Sequence, residues 1–98
     1  MITGKWSGTT KSPLEVFNFV FDFEQQGELL TGTVTHKEKT TPISNGKVDG
    51  DTVYFEMTVQ SVMGPGLFKC TLKINGDEYT GTAIVPMSKV SLKGKKLD

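Results

Sequence analysis

Between Val16 and Phe23 the chain places a ring at every second position: Phe17, Phe19, Phe21 and Phe23. A helix repeats its faces every 3.6 residues and would scatter these rings, whereas a strand collects them on one side. The same alternation returns downstream in Val53, Phe55, Met57 and Val59, in Phe68, Cys70, Leu72 and Ile74, and in Tyr79, Gly81, Ala83 and Val85. The intervening positions are polar, as in Asn18, Asp22 and Glu24, in Thr52, Glu56, Thr58 and Gln60, and in Lys69, Thr71 and Lys73. One dry and one wet face per strand is the pattern of an antiparallel sheet. No helical period longer than a turn is present, so the predicted class is all-β.

Gly and Pro punctuation divides the chain into about eight strands, over 3–10, 15–25, 28–37, 42–49, 51–60, 67–75, 77–86 and 88–96. The connections alternate. Gln25-Gln26-Gly27, Asp49-Gly50-Asp51 and Asn75-Gly76-Asp77 are compact glycine turns. The links over 10–14, 37–42 and 61–66 read as longer and irregular, and Pro86-Met87-Ser88 contains proline. In an up-and-down meander every second link lies at the same end. One end is therefore closed by tight turns and the other rimmed by looser loops. Eight strands with a continuous apolar face predict a closed antiparallel barrel, which leaves no sheet edge exposed. A two-sheet sandwich is the rival arrangement. Gly32 and Gly81, each inside a Thr-Gly-Thr unit, sit on the inward parity where strands bend as a barrel closes.

Composition narrows the function. At 98 residues the chain makes one domain, spanning 1–98. Its 11 acids and 11 bases cancel, so no overall field draws it to nucleic acid or an anionic membrane. All the bases are lysine, which removes the guanidinium fork used for bidentate phosphate recognition. The basic tail of Lys89, Lys93, Lys95 and Lys96 reads as a solvated terminus, and no nucleic-acid partner is expected. A single cysteine, Cys70, permits no internal disulfide and reads as a small buried hydrophobe. No apolar run reaches the ~18 residues of a membrane span. No secretory signal is present; if the protein is exported, the mature segment is what is seen here.

Two segments, Gly4-Lys5-Trp6 and Gly27-Glu28-Leu29-Leu30-Thr31-Gly32-Thr33, resemble the calycin barrels, and within them the avidin–streptavidin branch. Those proteins open on a Gly-x-Trp strand and carry a Gly-x-Leu-Thr-Gly segment, here longer by one residue. The resemblance implies a barrel plugged at one end by Trp6. It does not imply biotin binding, which uses several tryptophans where this chain has one. Lipocalins proper are longer and usually disulfide-bonded. The stretch from Pro42 to Asp51 also looks like small barrel domains of uncharacterised bacterial proteins, many of them exported.

Candidate chemistry is sparse. His36 is the only histidine and falls on the inward parity near the looser end. With Cys70 and Tyr79 it offers no carboxylate for acid–base work, so no catalysis and no cofactor are expected. Asp49, Asp51, Asp77 and Glu78 gather at glycine turns, where Asp beside Gly is ordinary turn chemistry rather than a calcium site. The loop Ser61 to Leu67 is unusually apolar through Val62, Met63 and Leu67, and Leu14 and Met87 belong to the same end. The leading expectation is a non-catalytic binding module. It would admit a small apolar or amphipathic ligand at the open end, against His36, Phe55, Met57, Met63, Phe68 and Tyr79. The alternative is a structural or interaction module, possible as a homo-oligomer, with a filled core. A void above about 300 Å³ between the loops separates the two.

Overall fold

The computed structural model describes residues 2–11, 16–61, 64–86 and 88–97. They form β1 (Gly4–Lys11), β2 (Val16–Gln26), β3 (Leu29–His36), β4 (Lys39–Pro42), β5 (Ser44–Asp49), β6 (Thr52–Ser61), β7 (Gly64–Asn75), β8 (Glu78–Val85) and β9 (Ser88–Lys95). All pairs are antiparallel, and the order β2-β1-β9-β8-β7-β6-β5-β3-β4 closes on itself through β2–β3. β4 and β5 both pair with β3 and together make one stave, so the nine segments build an eight-stranded barrel.

The split within that stave departs from the strand expected over 42–49. Hairpin pairing begins earlier, with His36 opposite Lys39 across a two-residue turn. Lys37 takes φ 56°, a conformation usually given to glycine, which is why the sequence carries no glycine signal there. A bulge then interrupts the stave: pairing to β6 steps from Ser44 with Glu56 to Lys47 with Tyr54, and Asn45 takes φ 52°. The Asn45 amide donates to Glu56 Oε1 at 3.2 Å, and the Tyr54 hydroxyl donates to Glu56 Oε2. Those two donors, Tyr54 foremost, hold the Glu56 carboxyl below its usual range.

The end expected to be closed is closed by two-residue turns, with Gln26 opposite Leu29, Asp49 opposite Thr52 and Asn75 opposite Glu78. At the other end two links expected to be long are short: pairing runs to His36 with Lys39 and to Ser61 with Gly64, leaving two residues between partners in each case. Val85 lies opposite Ser88, in keeping with the short proline-containing link expected there. Leu67 accordingly lies in β7 rather than in a loop, on the outer face and 46% exposed.

The closed half is solid. Phe21 and Phe23 stack at 5.0 Å, and both meet Phe55 edge-on, at 5.4 and 5.6 Å. Tyr79 lies 5.9 Å from Phe21 and 6.1 Å from Trp6. Each such pair adds about 0.5–1.5 kcal/mol beyond its area burial. Trp6 is 2% exposed and its indole N–H donates to the Ile2 carbonyl at 2.9 Å, so it fills this end. Gly32 and Gly81 permit the curvature: a Cβ on either would lie 2.0 Å from the Asp22 carbonyl oxygen or 2.3 Å from that of Thr71.

Candidate functional site

Above the Phe21–Phe55 layer the staves turn to smaller or shorter side chains, among them Thr10, Thr41, Ala83, Val85 and Val90. They leave a cavity of about 360 Å³ at the open end. Phe17, Phe19 and Phe21 line it from β2, Val34 and His36 from β3, and Lys39 and Thr41 from β4. Met57 and Val59 of β6, Phe68 and Cys70 of β7, and Leu92 of β9 complete the wall. The alternating register that builds the core thus also builds the cavity, with β2 supplying rings to both.

The wall is apolar with three titratable groups, His36, Lys39 and Cys70, and no carboxylate among the described residues. Burial pushes the Cys70 thiol up to about 12, so it stays protonated and is a poor nucleophile. His36 Nδ1 lies 2.8 Å from the Asn18 carbonyl oxygen. That oxygen only accepts, so Nδ1 carries the hydrogen and Nε2 is the nitrogen left for another partner. The imidazole also leans on Phe17, with ring centres 5.5 Å apart.

The expected site residues separate by height. His36, Met57 and Phe68 line the cavity. Phe55 and Tyr79 do not: both are fully packed in the closed half, beneath the cavity floor. Met63 lies outside the described residues, as do Leu14, Val62 and Met87. Sequence reasoning passed over Phe17, Phe19, Lys39, Thr10 and Ala83 as site residues. For Phe17, Phe19, Thr10 and Ala83 the signal was present, since each combines inward parity with a place near the open end of its strand; Lys39 lay in the expected 37–42 link and became visible only with the β3–β4 hairpin.

Of the acidic residues at the closed-end turns, Asp51 is paired with Lys73 at 2.8 Å on the surface. That hydrogen bond holds the Asp51 carboxyl below its ordinary value. No three His, Cys, Asp or Glu side chains among the described residues converge as a metal cage. Among the described residues no helix is long and apolar enough to cross a membrane.

The chain matches no family model and no curated protein. Among solved structures it is similar to a redesigned β-barrel, mFAP1, determined bound to DFHBI. The two superpose with a TM-score of 0.66 over 98% of this chain and 94% of that one, at 12% identity. At that identity the likeness is one of fold, and it agrees with the closed barrel described above.

Proposed function

We propose that this barrel is a non-catalytic module that binds a small apolar or amphipathic molecule in its open half. The observation that carries the reading is the cavity of about 360 Å³, which lies within the ~300–1,000 Å³ range of small-molecule sites. A fold likeness to a redesigned barrel determined bound to DFHBI supports it. The absence of any carboxylate from the described wall, and the protonated Cys70, favour binding over catalysis. The avidin-type kinship belongs to the same proposal, supported by the Gly4-Lys5-Trp6 strand and the burial of Trp6 at the closed end, and so does an exported bacterial setting, supported by the likeness of the stretch from Pro42 to Asp51 to small bacterial barrel domains.

Ala83 supplies the test. It is buried, faces the cavity and pairs with Cys70 and Val90. Ala83→Leu narrows the void while keeping an apolar wall. Native mass spectrometry against a panel of small apolar compounds should find a ligand for the parent chain. The variant should bind it at least tenfold more weakly, about 1.4 kcal/mol, with its melting temperature preserved. Equal binding by both chains would place the ligand elsewhere, and no binding at all would end the proposal.

One feature favours the second reading, a contact with another copy of the chain. Leu67 and Ile84, 46% and 55% exposed, lie on the outer faces of the paired strands β7 and β8. Light scattering over a concentration series tests it, and a monomer throughout would remove it.

A further inference from the structure

We propose that the preferred ligand is a small flat aromatic acid, its ring among Phe17, Phe19 and Phe68 and its carboxylate at the lip beside Lys39. The inference rests on the ligand-binding reading above and narrows it to one chemical class.

The ring preference follows from the wall. Four phenylalanines, Phe17, Phe19, Phe21 and Phe68, face the void, and the Met57 thioether joins them. Ring–ring and sulfur–ring contacts add to what area burial alone provides, so a planar aromatic gains more here than an alkyl chain of equal surface.

The acid preference follows from the charge at the lip. His36 and Lys39 are paired across the β3–β4 turn, which brings both side chains to one side of the mouth. The Lys39 ammonium makes a 3.5 Å contact with the Gln60 carbonyl and has no carboxylate partner among the described residues. Lys37 and Glu38 form the exposed turn between them. A carboxylate seated here keeps one side in water, which avoids the penalty of burying a charge.

The test compares naphthoate with naphthylmethanol, which share a ring system and differ in charge, and with decanoate, an acid without a ring. Calorimetry at low ionic strength should rank naphthoate first, about fivefold tighter than the alcohol, the upper range for a half-exposed ion pair. Lys39→Met should bring that ratio close to one. Lys47→Met carries the same change in net charge, lies at the opposite end of the barrel, and should leave the ratio as in the parent. An alcohol that binds as tightly as the acid, or a ratio that survives Lys39→Met, overturns the acid inference. Decanoate binding as tightly as naphthoate overturns the aromatic one. In either case the ligand-binding reading stands, provided the bound compound is expelled by Ala83→Leu. If none of the three binds while another compound of the panel does, the aromatic-acid inference falls alone; if nothing in the panel binds either, the ligand-binding reading falls with it.

Discussion

Tyr79→Phe should stabilise this protein, against the usual direction for removing a buried hydroxyl. Tyr79 is 2% exposed and its hydroxyl has no hydrogen-bond partner among the described residues. The reason is geometric. The ring crosses the junction of β1 and β9, where Gly94 and Gly8 offer no side chains. A Cβ on Gly8 would fall 2.5 Å from the hydroxyl, and one on Gly94 would fall 2.8 Å from Cε2 of the ring. Covering paired glycines with an aromatic ring stabilises a closing barrel, and the hydroxyl is carried along into a space walled by Phe19, Phe21 and Trp6. A buried hydroxyl left unpaired costs about 1–3 kcal/mol, while the lost contacts of one oxygen recover only part of that. The expected net gain is about 1 kcal/mol, which in a domain of this size raises the melting temperature by roughly 4–8 °C. Urea unfolding followed by Trp6 fluorescence reads it directly, as a higher midpoint with an unchanged slope. Because Tyr79 lies beneath the cavity floor, ligand affinity should be unaltered. A midpoint that falls would mean that the hydroxyl has found a partner, such as an enclosed water, and that the accounting above is wrong.

Two further perturbations bear on the same interior. Gly94→Ala places a methyl group 1.8 Å from the Ser7 carbonyl oxygen, so β1 and β9 must part; a loss of about 1–3 kcal/mol is expected, and a loss under about 0.5 kcal/mol in the same urea assay would show that the junction yields freely. Burial lifts the Cys70 thiol from 9.0 to about 12, so above pH 9 the unfolded chain sheds a proton that the folded chain keeps. Stability should then fall as pH rises toward 12, by about 1.4 kcal/mol per pH unit for this group. Tyr79, also raised by burial, adds in the same sense at higher pH. Cys70→Ala should flatten that slope, and an identical slope in the variant would contradict it.

The barrel was legible because a period of two leaves little choice about which face is buried. Phe21, Phe23, Val53, Phe55 and Leu72 were all assigned to the interior by parity, and all are buried. What parity cannot supply is height along the axis. Tyr79 and Phe55 share the face of Phe68 and Met57, yet they fill the closed half while the other two line the void. Each step of two residues moves a side chain by about 6.6 Å along its strand. Counting from the Gly50-Asp51 and Gly76-Asp77 turns would have separated the pairs. The Lys37-Glu38 turn was illegible for another reason: a lysine in a left-handed conformation leaves no compositional mark.

The partition of the interior also bears on how such a module can carry a site at all. A chain this short has little stability to spare, and an empty volume of about 360 Å³ forgoes contacts that a filled core would have made. The aromatic layer of Trp6, Phe21, Phe23, Phe55 and Tyr79 concentrates apolar burial in the closed half, where both described ends of the chain also meet through the Leu97 N–H on the Lys5 carbonyl at 2.8 Å. The open half is then held by the ladder of its staves more than by its contents. Substitutions at Thr10, Thr41, Ala83 or Val90 can reshape the cavity at smaller cost than equivalent changes at Phe21 or Phe55. On the binding proposal, those four positions can retune the cavity while the aromatic layer below keeps the barrel folded.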